Sequence, residues 1–177
     1  LMELTESMYR PIFGDAITFY GGSGRSFIEA SLEDPEVSTV VVFGFDENIL
    51  PYAEAFRSSG KKLVFEGPGS DPFIVFPDAD LELALSDLMA GKFMYSGQTC
   101  TAPKRIFIHE SLYDAFLELF VQRVKRLRVG APEDDRTDVA PVVSDLAVHR
   151  IREQLDEAVR KGARILVGGR INGNLIQ

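Results

Sequence analysis

The sequence predicts an α/β fold with a largely parallel sheet and flanking helices, and three observations carry that expectation. Short β-branched and aromatic runs alternate with stretches of helical periodicity along the chain. The 177 residues are 45% apolar and 26% charged, enough to bury a core and within the ordinary globular range. The runs are separated by short Gly- and Pro-containing turns, with no repeat or low-complexity tract.

Taken in order, the chain opens inside an apparent helix, and the first strand is expected at Ala16 to Tyr20. Strands follow at Val37 to Phe43, Lys61 to Glu66, Phe73 to Phe76, Arg105 to His109 and Arg164 to Val167. Helices fill the gaps at Ser26 to Glu33, Ile49 to Ser58, Leu81 to Ser96, Ser111 to Arg128 and Ser144 to Lys161. In the fourth helix Leu112, Phe116, Leu119, Phe120, Val124 and Leu127 form the apolar stripe, and charged residues take the rest of the wheel. In the fifth, Ser144 stands where an N-cap belongs and Gly162 where the helix should stop. Gly67-Pro68-Gly69 breaks regular structure and is the expected boundary between two segments. Gly130 to Val143 is an irregular connection, and a further strand is expected to start at Ile171; both ends read as cuts through a longer polypeptide.

Composition removes several classes of function. Lys and Arg number 19 against 27 Asp and Glu, and a net charge of −8 is unsuited to neutralising nucleic acid or anionic lipid. No apolar run approaches the ~20 residues of a membrane span, and Leu1 to Arg10 lacks the pattern of a secretory signal. A single cysteine cannot form an internal disulfide, so a reducing, cytoplasmic setting is expected. His109 and His149 have no ligand-type neighbours at metal-binding spacing, so no metal site is expected and capping or surface roles are the default. A Cys/His peptidase would need one of them beside Cys100, and no peptidase signature supports that. The basic cluster of Arg123, Lys125, Arg126 and Arg128 falls in a helix's last turns, where cations complement the dipole. Glu133-Asp134-Asp135 and Asp138 read as a solvated loop.

Two residues could carry chemistry. Cys100 lies in Phe93-Met94-Tyr95-Ser96-Gly97-Gln98-Thr99-Cys100-Thr101-Ala102-Pro103, between a helix and a strand, where a thiol can face a cleft. An ordinary thiol is only a few per cent thiolate at neutral pH, so a nucleophile here needs added positive potential, from backbone dipoles or from Lys104 or Arg105. Core packing is the alternative. Glu66 closes an apolar strand just before Gly67-Pro68-Gly69, the edge at which an α/β sheet presents groups to a ligand; a solvated strand end is the alternative.

Phe93-x-x-x-Gly97-Gln98-x-Cys100, and Phe65-Glu66-Gly67-Pro68-Gly69 followed by Pro72-Phe73-Ile74-Val75-Phe76-x-Asp78-Ala79-Asp80, resemble the cysteine and glutamate signatures of the NAD(P)-dependent aldehyde dehydrogenase superfamily. Their order and separation are those of the family. The glutamate signature departs from the usual Glu-Leu-Gly-Gly-Lys, with Gly67, Pro68 and Ser70 in place of family residues. Tyr20-Gly21-Gly22-Ser23-Gly24 resembles the family's glycine turn, and Val41 to Glu47 its Phe-Thr-Gly-Ser segment, with Phe43 and Phe45 where Thr and Ser are usual. Loss of that hydroxyl, and Asp46 beside a phosphate site, should weaken cofactor binding or alter its geometry.

The resemblance implies that residues 1–66 are the end of a cofactor-binding domain and 67–177 the larger part of a catalytic domain. It implies NAD or NADP as cofactor, approached by Gly22, Gly24, Gly44, Phe45 and Gly67, a small-molecule aldehyde as substrate, and a homo-oligomer for the intact protein. Cys100 would attack the aldehyde to give a thiohemiacetal, and hydride transfer would leave a thioester. Glu66, a partly desolvated general base, would then activate the hydrolytic water, while the Cys100 N–H joined the oxyanion hole. The family's upstream Asn and downstream Glu-Glu-x-Phe-Gly-Pro segment are not in this stretch, so taken alone it is expected to be inactive. Acyl-CoA or acyl-phosphate reduction on the same scaffold, and a binding or assembly role without redox chemistry, remain as alternatives.

Overall fold

The computed structural model describes residues 2–177. The chain divides into two compact units, the first ending at Pro68 and the second running Gly69–Gln177.

In the first unit α1 (Met2–Phe13) ends in a single tight turn, Gly14–Ala16. The strand expected at Ala16 to Tyr20 is not formed. Ile17 is extended, at φ −132° and ψ 132°, but no ladder among the described residues pairs with this run, and extension without a partner is not a strand. Next, α2 (Gly24–Glu33) is capped by Ser23, whose Oγ accepts from the Ser26 N–H at 3.1 Å. After β1 (Thr39–Phe43) the helix expected over Ile49 to Ser58 is broken into α3 (Asp46–Ile49), a tight turn at Leu50–Tyr52 and α4 (Ala53–Ser59). Pro51 is the reason, because it has no N–H to continue the helical ladder. Gly60, left-handed at φ 71°, ends α4. β2 (Lys62–Glu66) pairs in parallel with β1, from Thr39 opposite Lys62 to Phe43 opposite Glu66. Ile28, Val40, Ile49 and Phe56 form the core, with Leu63 and Phe65 packed against it. Only one face of the ribbon is covered: Phe43 is 78% exposed.

The second unit repeats the plan. β3 (Pro72–Val75) leads into α5 (Leu81–Phe93), capped by Asp80 Oδ1 on the Leu83 N–H at 2.9 Å. β4 (Arg105–Ile108) returns parallel to β3, Pro72 opposite Arg105 and Val75 opposite Ile108. Then α6 (Glu110–Val124) starts at His109, whose Nδ1 accepts from the Ser111 N–H at 3.3 Å. Val75, Leu85, Leu88 and Phe116 are buried together beneath Phe73, Ile106 and Ile108.

α6 stops at Val124 rather than the expected Arg128, because the Arg128 N–H is taken by Asp138 Oδ2 at 2.8 Å and Val129 bridges to Val139. Asp138 is therefore a tie rather than part of a merely solvated loop. Arg123 does not simply complement the helix end: it pairs with Glu82 on α5 and donates to Ser86 Oγ at 3.3 Å. α7 (Asp145–Arg160) is capped by Ser144, whose Oγ accepts from the Ala147 N–H at 3.2 Å, and Gly162 follows at φ 95°. The strand expected at Arg164 to Val167 is absent from the ladders of the described residues. A hairpin forms instead from β5 (Ile171–Asn172) and β6 (Leu175–Ile176), turned by Gly173 at φ 56° and Asn174.

Candidate active site

In the first unit the candidate residues divide between two places. At the C-terminal edge of β1 and β2, the Gly44 N–H donates to the Glu66 carbonyl at 3.1 Å, which draws Gly44, Phe45, Glu66 and Gly67 together. A Cβ on Gly67 would lie 3.0 Å from the Phe65 ring and 3.3 Å from Asp46 Oδ1, so the Asp46 carboxylate lies close to this strand end. Glu66, at the last position of its strand, is exposed. Gly22 and Gly24 stand at the start of α2. The Tyr20 ring lies over Gly22, where a Cβ would overlap it at 2.2 Å, whereas the space around Gly24 is open.

The second unit holds Cys100. α5 ends at Phe93, short of the expected Ser96, in a tight turn over Met94–Gly97. Tyr95 and Ser96 are left-handed at φ 48° and 59°, and Gly97 follows at φ 73°. Left-handed residues other than glycine cost about 1–3 kcal/mol each and persist where their surroundings over-determine them. The restraints here are visible. Ser96 Oγ accepts from the Ala140 N–H at 2.8 Å, and Gln98 Oε1 accepts from the Val143 N–H at 2.8 Å. The Gln98 N–H donates to the Tyr95 carbonyl at 3.2 Å.

The turn that follows is held as firmly. The Ala102 N–H donates to the Thr99 carbonyl at 3.2 Å. Lys104 Nζ donates to the carbonyls of Thr99 at 3.1 Å and Cys100 at 2.7 Å. A Cβ on Gly69 would stand 2.6 Å from the Cys100 carbonyl, so the backbone at Gly69 packs directly against the turn. Beside it the Asp71 carbonyl accepts from the N–H groups of Lys104 and Arg105 at 3.0 and 3.3 Å, and Arg105 Nε donates to the Ser70 carbonyl at 2.8 Å. Asp71 Oδ2 is buried with no hydrogen-bond partner among the described residues. Lys92, at the end of α5, has its proton affinity lowered, first by burial and then by the charge of Lys104.

Cys100 itself is exposed, which removes the reading of a thiol sealed in the core. Among the described residues no group of three His, Cys, Asp or Glu could hold a metal ion, and no helix is long and apolar enough to cross a membrane.

The sequence model of the Aldehyde dehydrogenase family matches residues 14–177. The chain belongs to the aldehyde dehydrogenase family. It is 42% identical over 123 residues to succinate-semialdehyde dehydrogenase [NADP(+)] 1 of Schizosaccharomyces pombe, a match covering 70% of this chain and 25% of that protein. It is 38% identical over 145 residues to succinate-semialdehyde dehydrogenase [NADP(+)] of Mycolicibacterium paratuberculosis, covering 82% of this chain and 31% of the relative. Among solved structures, an NADP-dependent enzyme of E. coli superposes with a TM-score of 0.83 at 31% identity, over 88% of this chain and 33% of that one. The chain thus spans a quarter to a third of the length of these relatives.

Within this member of the family, sequence reasoning singles out Cys100 and Glu66 through their motifs and does not anticipate what holds the Cys100 turn. Ser96, Gln98 and Gly69 act on backbone groups distant in sequence, and no local pattern announces such contacts. Lys104, considered only as a source of charge, is a two-carbonyl clamp.

Proposed function

We propose that this chain supplies the nucleophile and the general base of an NAD(P)-dependent aldehyde dehydrogenase that oxidises an aldehyde to a carboxylic acid. The observation that carries the reading is the exposed Cys100 thiol on a turn whose peptides are held from several directions. Cys100 attacks the carbonyl carbon to give a thiohemiacetal, while its own N–H donates to the developing oxyanion. A bound nicotinamide cofactor supplies the hydride acceptor. Glu66 takes a proton from the water that attacks the resulting thioester, and the carboxylic acid leaves with Cys100 again a thiol. The exposed Glu66 carboxylate gains the desolvation this task favours only when substrate and cofactor exclude water around it.

The residues of the β1–β2 edge fit the cofactor in part. Gly44 and Gly67 leave the backbone accessible, and the carboxylates of Asp46 and Glu66 favour the positive charge of an oxidised nicotinamide ring. Phe45 offers no hydroxyl to a diphosphate, which must find its donors elsewhere, with the open start of α2 at Gly24 as one candidate. The relatives' names support a semialdehyde as substrate and NADP as cofactor, with NAD the other possibility. We place residues up to about 66 in the cofactor-binding domain and the remainder in the catalytic domain. The intact enzyme is proposed to be a cytoplasmic homo-oligomer, a reducing compartment keeping the Cys100 thiol free, and the net charge of −8 on this chain speaks against nucleic acid or anionic lipid as a partner of this part of it.

The test is formation of reduced nicotinamide by the intact enzyme with succinate semialdehyde and NADP or NAD, compared with its Cys100→Ser variant. Wild-type turnover that falls by about a thousandfold or more in the variant supports the proposal. Turnover that survives the substitution, or none with either cofactor in the wild type, contradicts it.

A further inference from the structure

Lys104 reaches back over the turn that carries the nucleophile, and what it grips decides where a second group points. Its ammonium donates to the carbonyls of Thr99 and Cys100, at 3.1 and 2.7 Å. The Thr99 carbonyl belongs to the same peptide plane as the Cys100 N–H, and the described peptides are trans. In a trans peptide the C=O and N–H point in opposite directions. Holding the Thr99 carbonyl toward Lys104 therefore turns the Cys100 N–H away from it. A cation on the carbonyl also draws electron density from the amide and makes that N–H a stronger donor.

Lys104 is itself anchored, through its N–H on the Asp71 carbonyl at 3.0 Å, and the Ala102 N–H shares the Thr99 carbonyl at 3.2 Å. Pro103, just before it, lies 3.5 Å from where a Cβ on Gly91 would stand, which sets this segment against α5.

We propose that Lys104 is a positioning residue: it orients and polarises the Thr99–Cys100 peptide so that the Cys100 N–H can donate to the oxyanion, and it supplies positive potential at the thiol's own turn. The inference rests on the function proposed above. Among the described residues, the charged groups that face this turn are Lys104 itself, Lys92 from the end of α5, Arg105 from β4 and Asp71 just before β3. Of the four, Lys104 alone donates through its side chain to the carbonyls of both Thr99 and Cys100.

The experiment compares Lys104→Met, Lys104→Gln and Lys104→Arg in the intact enzyme by three readouts. These are kcat and KM for the aldehyde, the pH profile of Cys100 alkylation by iodoacetamide without aldehyde or cofactor, read on the Cys100 peptide by mass spectrometry, and the melting temperature. Lys104→Met is expected to lower kcat by about tenfold, less than loss of a whole oxyanion donor, with KM within about twofold. Its Cys100 alkylation should be slower across the profile. Lys104→Gln, a neutral donor, should recover part of kcat and none of the alkylation rate, and Lys104→Arg should recover most of both.

The alkylation arm needs no turnover. A wild type that oxidises no aldehyde but shows Lys104-dependent alkylation defeats the proposed function and leaves the clamp standing. A folded Lys104→Met with wild-type kcat and alkylation profile overturns the clamp. So does a fall in kcat that follows the melting temperature and is not recovered by Lys104→Arg. Should Lys104→Met not fold, a wild-type alkylation profile in Lys104→Gln overturns it equally.

Discussion

The turn around Cys100 and the strand edge at Glu66 differ in how they are held, and the difference follows the work proposed for each. The Cys100 turn is tied by the N–H groups of Ala140 and Val143, which donate to the Ser96 and Gln98 side chains, and by Ala102 and Lys104, which donate to its carbonyls, and it packs against Gly69. At the Glu66 edge the Gly44 N–H, donating to the Glu66 carbonyl, continues the ladder into a helix of one turn. A nucleophile and an oxyanion donor must be held to a fraction of an ångström, which many restraints achieve. A base that acts through a water tolerates more freedom, and a cofactor that binds and leaves needs an accessible backbone.

Five substitutions probe that contrast, in decreasing order of expected effect on stability. Phe116→Ala removes a fully buried ring from beneath β3, β4 and α5, and should cost about 3–5 kcal/mol in denaturant unfolding. A loss well under 1 kcal/mol would mean that the layer supporting the Cys100 turn is not the packed core described.

Gly69→Ala and Gly67→Ala set the two regions directly against each other. At Gly69 the new Cβ meets the Cys100 carbonyl at 2.6 Å and the Asp71 carboxylate at 2.3 Å, so backbone must shift. A cost of about 1–3 kcal/mol and slower Cys100 alkylation are expected. At Gly67 the nearest atoms are the Phe65 ring and the Asp46 side chain, at 3.0 and 3.3 Å, which can turn aside, so alkylation should stay as in the wild type. Equal effects of the two on alkylation would erase the contrast.

Gln98→Ala leaves the Val143 N–H without its acceptor and should lower stability by about 1 kcal/mol, with the alkylation rate reduced as the turn loosens. An unchanged rate would show that the tie is dispensable.

The smallest effect belongs to the first unit. Glu29 accepts from Arg25 and Tyr52, and these bonds hold its carboxyl below the ordinary value of 4.5. A depressed carboxylate contributes stability above its unfolded pKa and loses it as pH falls through the lower folded value. Glu29→Gln should therefore flatten the melting temperature's dependence on pH below about 4.5, slightly and mainly at low salt, because the pair is exposed. An unaltered pH dependence at low salt would contradict it.

What the sequence made legible follows the range of the forces involved. The paired strands β1 to β4, the cap at Ser144 and the stop at Gly162 are local patterns, and they could be read in advance. The runs at Ala16 to Tyr20 and Arg164 to Val167 have strand composition, but strands depend on distant partners, and these have no ladder partner among the described residues. The end of α5 was misjudged because Tyr95 and Ser96 are held left-handed by contacts reaching Ala140 and Val143. Of the site, Cys100 and Glu66 stood out through residue type and spacing. The clamp by Lys104 did not, since it acts on backbone carbonyls that every residue carries.

The central claim is that Cys100 and Glu66 serve successive halves of one reaction, and acid quenching of the intact Glu66→Gln enzyme tests it most directly. Mixed with aldehyde and oxidised cofactor, the variant should release reduced nicotinamide in a burst stoichiometric with enzyme and accumulate an acyl group on the Cys100 peptide by mass spectrometry. Steady turnover at the wild-type rate with no acyl adduct on Cys100 would contradict it.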